Sequence, residues 1–123
     1  MNREEVLTYV TSTYSAEPEY LWEKTPNTCV FRHKSNNKWF CALLSVKKSA
    51  LNSELFVGED DTLIDIVDIK AHPLFINGLK EKKGILPGYH MNKEHWITLL
   101  LGDYLADDEI KALIEESYQL TKQ

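Results

Sequence analysis

Two strand-like runs joined by a short polar turn are the feature that most constrains this chain. Thr28 to His33 and Lys38 to Val46 are rich in β-branched and aromatic residues, and Ser35-Asn36-Asn37 stands between them. Asn and Ser suit the tight backbone of a turn, so the segment reads as an antiparallel hairpin. Alternation along the second arm puts Phe40, Ala42, Leu44 and Val46 on one face and Trp39, Cys41 and Leu43 on the other. Apolar groups on both faces describe either a strand covered on both sides or one with an exposed Trp at its start.

The rest of the chain supplies what such a hairpin packs against. Asn2 is placed to cap a helix over residues 3–14, with Glu5 at capping-box spacing and Val6, Leu7, Val10 and Tyr14 as its apolar stripe. Glu17-Pro18-Glu19 breaks that pattern, and the irregular stretch that follows is expected to lay Tyr20 and Trp22 over the core. Glu54 to Val57 and Leu63 to Ile69 read as further strands around the Gly58-Glu59-Asp60-Asp61 turn, with the acids on the wet side or at turns. Pro73 suits the first turn of a helix to about Lys82 that buries Leu74, Phe75, Ile76 and Leu79 before Gly84 ends it. Ile85 to His90 and His95 to Leu101 form a second hairpin around Met91-Asn92-Lys93-Glu94. A last amphipathic helix is capped by Asp107 and buries Ile110, Leu113, Ile114 and Leu120. The expectation is one α+β domain over residues 1–123. An antiparallel sheet with two hairpins packs against N-terminal, middle and C-terminal helices.

At 123 residues the chain is long enough to bury a core without disulfides or metal. No apolar run approaches the roughly 20 residues of a membrane span, and the first residues lack a signal-peptide pattern, so a soluble cytoplasmic protein is expected, with no membrane partner. Cys29 and Cys41 lack C-x-x-C spacing and read as buried, reduced thiols; the loop length decides whether they share a face, an even-numbered loop turning them apart.

Charge is segregated. The net charge is −5, yet residues 24–53 hold six Lys and Arg and no acid, and residues 70–93 are also basic overall. These two blocks contain the two hairpins, so a local positive face can coexist with an acidic protein if they meet in space. The combination at the hairpins is cationic and aromatic: Arg32, His33, Lys34, Lys38 and Trp39 at the first, Tyr89, His90, Lys93, His95 and Trp96 at the second. Cations at hairpin tips pair with phosphates, rings stack on bases, and a two-stranded ribbon fits a DNA groove. Against this stands the plain reading, favoured for both Trp, in which the rings anchor the core and the cations solubilise exposed strands.

Catalytic signatures are absent. Ser117 has no G-x-S-x-G elbow and is expected to bond back to its own helix, and no phosphate-binding or dinucleotide Gly motif occurs. His33, His72, His90 and His95 do not combine with the two Cys in any zinc spacing. No enzyme activity, metal or cofactor is expected.

Pro87-Gly88-Tyr89 followed by Lys93 and Trp96, together with Lys38-Trp39-Phe40 and Ser117-Tyr118, resembles the MmcQ/YjbR family of small bacterial proteins through nearly the whole chain. The resemblance implies a YjbR-like or CyaY-like α+β domain and a DNA-binding role through a double-wing arrangement, with the hairpins as wings. Two partners stand. Arg32, Lys34, Lys38 and Lys93 are the candidate contacts to DNA phosphates, non-enzymatic and weakly sequence-specific. Tyr89, His90 and Trp96 are the candidate contacts of the alternative, an adaptor or chaperone-like module that binds a protein or small anion on its sheet face. No oligomeric state follows from the sequence.

Overall fold

The first hairpin forms with one residue more on its second arm than on its first. In the computed structural model, which describes residues 1–58 and 61–123, β1 (Cys29–Arg32) and β2 (Trp39–Lys47) pair Cys29 with Leu43, Val30 with Ala42 and Phe31 with Cys41. The register then shifts, and Arg32 lies opposite Trp39. Phe40 is therefore the extra residue of a β-bulge, which breaks strict alternation. Phe40 and Cys41 both enter the core under the helices, whereas Trp39 sides with Ala42, Leu44 and Val46. The expectation that Phe40 shares the face of Ala42 is corrected by this bulge. The same register puts Cys29 and Cys41 on one face, both buried and free.

Four more elements of the sheet and its cover follow: β3 (Leu63–Lys70), α2 (Pro73–Leu79), β4 (Ile85–Pro87) and β5 (Trp96–Leu100), between α1 (Arg3–Tyr14) and α3 (Asp107–Thr121). The sheet is antiparallel in the order β1-β2-β3-β5-β4, a single α+β domain as expected. Val6 and Val10 of α1, Ile76 of α2 and Ile110 and Ile114 of α3 cover one face, over Phe31, Phe40, Leu43, Val67, Ile97 and Leu99. The Asn2–Glu5 capping box forms at α1. The opposite face carries Val30, Ala42, Leu44, Ile66 and Leu100, and Phe56 is its main cover.

Several local expectations change. Glu54–Phe56 is a 3-10 turn, not a strand, because the Ser53 hydroxyl caps it by accepting the Leu55 N–H. Glu59 and Asp60 of the proposed acidic turn lie outside the described residues. α2 is shorter than its pattern and buries Ile76 but leaves Leu74 82% and Phe75 58% exposed. Ala106, not Asp107, is the cap of α3, and the Asp107 carboxylate instead accepts from the Met1 ammonium at 2.9 Å. Leu120 is exposed, as are Tyr20 and Trp22, so neither aromatic covers the core.

The strand directions bring both hairpin turns to the same end of the sheet, one leaving β1 at Arg32 and the other leaving β4 at Pro87. With strands about 4.8 Å apart, the two hairpins are centred roughly 14 Å from each other. Gly88 begins the second turn, and a Cβ there would lie 2.9 Å from the Trp96 carbonyl oxygen, so only glycine allows this approach.

At that end the bulge has a second consequence. Lys70 N–H faces the broken part of β2, and Ser117 of α3 fills the gap: its hydroxyl accepts from Lys70 N–H at 2.9 Å and donates to the Phe40 carbonyl at 2.6 Å. Ser117 does not bond back to its own helix as expected; it splices the helix into the sheet. Removing a fully buried relay leaves one donor and one acceptor without partners. Ser117→Ala is thus expected to destabilise the fold by about 1–3 kcal/mol in urea unfolding, and a loss indistinguishable from zero would show that the backbone closes the gap by itself.

A candidate binding groove and the hairpin end

The cations predicted to meet DNA are largely committed to the protein's own groups. Arg32 donates through Nε to Glu19 at 2.7 Å, a pair made when the segment around Glu19 bridges to Val30 along the outer edge of β1. Lys38 Nζ donates to the Gln123 carbonyl at 2.7 Å, and Asn36 Nδ2 to that of Thr121 at 2.9 Å, so the first turn holds the end of α3. Lys93 Nζ folds back to the Gly88 carbonyl at 2.9 Å within the second turn. Lys34 is exposed. His33 is buried, with Nε2 2.8 Å from the Thr121 hydroxyl and its ring against Phe40 and Tyr118; this burial lowers its pKa below the usual imidazole range. A cleft of about 680 Å³ beside it includes Arg32 and Lys34 but also Glu17 and Glu19, and neither Lys38 nor Lys93 lines it.

The sheet face away from the helices holds a different kind of concavity. A groove of about 580 Å³ is walled by Trp22, Trp39, Leu44, Tyr89, His90 and Met91. Its position follows from the fold: β2 supplies the floor, the segment before β1 supplies Trp22, and the second hairpin turn reaches over to supply Tyr89, His90 and Met91. Trp22 meets Trp39 edge-on at 5.9 Å, and the Tyr89 and His90 rings lie 4.0 Å apart. His90 has φ of 59°, a left-handed backbone that an ordinary residue adopts only when its surroundings hold it there. Of the three residues predicted to bind a ligand, Tyr89 and His90 line this groove, and Trp96, half-buried against Gly88, does not. Trp22, Trp39 and Met91 join them; Trp39 packs against the Val30, Ala42 and Leu44 cluster, as an anchor does, and is half-buried at the groove as well.

Behind the Tyr89 turn lies an acid that the sequence reading placed on the wet side. Asp68 on β3 is fully buried between Ala42 and Thr98. Its Oδ1 accepts from the Thr98 hydroxyl at 2.5 Å, and that hydroxyl in turn accepts from Tyr89 N–H at 2.8 Å. Oδ2 is buried without a hydrogen-bond partner. Burial pushes the carboxyl up to about 7, opposed by the Thr98 hydrogen bond and the Lys93 charge. The available signal was alternation: Asp68 falls in phase with Ile64 and Ile66, and an acid in an apolar row is an acid under the surface.

A carboxyl whose folded pKa stands above its unfolded value favours the fold when neutral. That contribution is whole below about pH 4 and is lost as pH rises through about 7. Asp68→Asn, neutral at every pH, is accordingly expected to be more stable than the wild type at pH 8, on the order of 2 kcal/mol, with the gap shrinking toward pH 5. Thermal melts across this range check it, and a gap independent of pH would remove the carboxyl's ionisation as the cause.

Comparison with known proteins agrees with this fold. The chain is 39% identical over 122 residues to the uncharacterized protein YyaQ of Bacillus subtilis, covering 99% of both, and 44% identical over 36 residues to the uncharacterized protein YbdF of Escherichia coli O157:H7, covering 29% and 30%. A crystal structure of a Pseudomonas syringae protein superposes with a TM-score of 0.92 at 41% identity, covering 98% of this chain and 99% of that one. The crystal structure of Deinococcus radiodurans protein DR2400 superposes at 0.71 with 18% identity, covering 99% and 79%, which is a likeness of fold alone. The YjbR family model matches residues 11–120, and with these matches the chain belongs to the YjbR family.

Proposed function

We propose that this protein is a non-enzymatic binding module whose site is the groove on the sheet face away from the helices. The observation that carries this reading is the gathering of Trp22, Trp39, Tyr89 and Met91 around one concavity of about 580 Å³, within the size range of ligand sites. Large rings half exposed in a hollow offer apolar area to a partner at little entropic cost, and a methionine adapts to irregular shapes. Polar atoms are few, so affinity comes from buried apolar surface and orientation from the groove's walls. Ligand-observed NMR with a library of aromatic fragments tests this. Binders are expected to shift the Trp22 and Trp39 indole signals and to lose at least about tenfold in affinity on Trp39→Ala with the fold intact, roughly the weight of one buried ring contact. Fragments that gather at the Arg32–Lys34 cleft instead would overturn the reading.

A second reading, binding of a DNA phosphate backbone at the hairpin end, draws support from one observation: both turns leave the sheet at the same end, as a pair of wings requires. Lys34 and Lys38 are the exposed cations of the first turn. With few contacts the binding is modest, not sequence-specific, and steep in salt. Anisotropy of labelled duplex DNA should then fall between low and near-physiological salt and vanish in Lys34→Glu with Lys38→Glu, and an unchanged affinity in that variant would remove this reading.

A further inference from the structure

We infer that the groove's occupant is an extended peptide that adds to the sheet as a strand along β2 at Ser45 and Lys47, an inference that rests on the groove reading above. The direction of each backbone group decides it. Val30 exchanges both of its backbone bonds with Glu19 on the outer side of β1, at 3.0 and 2.9 Å. Cys29 and Phe31 are therefore the residues of β1 turned toward β2, where they oppose Leu43 and Cys41. Backbone groups alternate sides along a strand, so Ser45 and Lys47 point the same way as Leu43, away from β3. Two bonds at the sheet's ends agree with this phase: Lys48 N–H reaches the Thr62 carbonyl on the β3 side, and Leu101 N–H, just past β5, reaches the Asp65 carbonyl.

On the side to which Ser45 and Lys47 point, the sheet has run out. β1 begins at Cys29, opposite Leu43. The chain before it turns away, with Thr28 N–H bonded to the Thr25 carbonyl at 3.0 Å and the Asn27 carbonyl taken by the Arg3 guanidinium. Among the described residues, no backbone group is bonded to Ser45 or Lys47 on that side. Both residues line the groove, as do Thr25 and Thr28 from the departing segment. The result is a free edge with donors and acceptors at Ser45 and Lys47, opening on the same groove that holds Trp22 and Trp39 at the other end of β2. An open edge is ordinarily guarded, and here Lys47, paired with Asp61 at 3.6 Å, is the guard against indiscriminate pairing. A peptide that satisfies the N–H and C=O of Ser45 and Lys47 while sending alternate apolar side chains toward Leu44 and Val46 on the groove floor fits both features at once.

The test uses 12-residue peptides selected on the wild-type protein from a displayed random library and then synthesised. Two readouts are followed: hydrogen exchange at the Ser45 and Lys47 amides, and the indole signals of Trp22 and Trp39. Strand addition is supported if bound peptide slows exchange at Ser45 and Lys47, and if N-methylation at one set of alternate peptide positions, but not the other, weakens binding by about tenfold or more. Ser45→Pro provides a second arm, since it removes an N–H that the β3 ladder does not use; the variant should keep its fold, read from its thermal melt, while losing peptide. Peptides that shift the indoles but leave both amides exchanging freely would overturn strand addition and leave the groove reading intact. A library that yields no groove-binding peptide overturns strand addition, and if aromatic fragments also fail to bind, the groove reading falls with it.

Discussion

The hydroxyl of Ser117 joins three elements that would otherwise end in unmatched backbone groups. A bulge at Phe40 turns one extra ring into the core but withdraws a carbonyl from the strand ladder, and Lys70 N–H loses its natural partner. A short polar side chain from α3 supplies both missing bonds. The position of α3 on the sheet follows, and with it the stack of Tyr118 on Tyr14 at 4.4 Å and the seat of His33. The first hairpin turn then holds the end of the helix through Lys38 and Asn36. One irregularity in a strand thus decides the docking of a helix, and the helix decides what the basic turn is used for.

The two faces of the sheet have different fates. Three helices seal one of them, while the other is buried by Phe56 and by side chains such as Trp39, Leu86, Tyr89 and Met91, several of which also wall the groove. The buried Asp68 under the Tyr89 turn belongs to the same region. Its hydrogen bonds run through Thr98 to the backbone of the residue that forms the groove's far wall, so the conformation of that turn depends on a polar group inside the sheet.

Much of this architecture was legible in the chain. α1 follows from Asn2, Glu5 and the spacing of Val6 and Val10, and β3 follows from a row of alternating aliphatic residues. Both hairpins were marked by polar turns between β-rich runs. What alternation could not convey was the extra residue at Phe40, because a bulge leaves composition unchanged while reversing every face before it. Leu74 and Phe75 carry the apolar pattern of a buried helix but belong to a helix too short to turn both inward. The candidate site was half legible: Tyr89 and His90 stood out as aromatic groups in a turn, whereas Trp22 reaches the groove only through the path of an irregular segment.

Sequence by itself determined the local elements, their order and the segregation of charge, since each depends on residues near one another along the chain. Tertiary structure alone decided what those residues do. Arg32, Lys38 and Lys93 look alike as cations in a string of letters, yet each finds a partner from another part of the chain or across its own turn: Glu19, the Gln123 carbonyl and the Gly88 carbonyl. The open edge at Ser45 and Lys47 is likewise invisible in sequence, because it arises from where a neighbouring strand begins and from which way each peptide group points, and both are properties of paired strands rather than of either one.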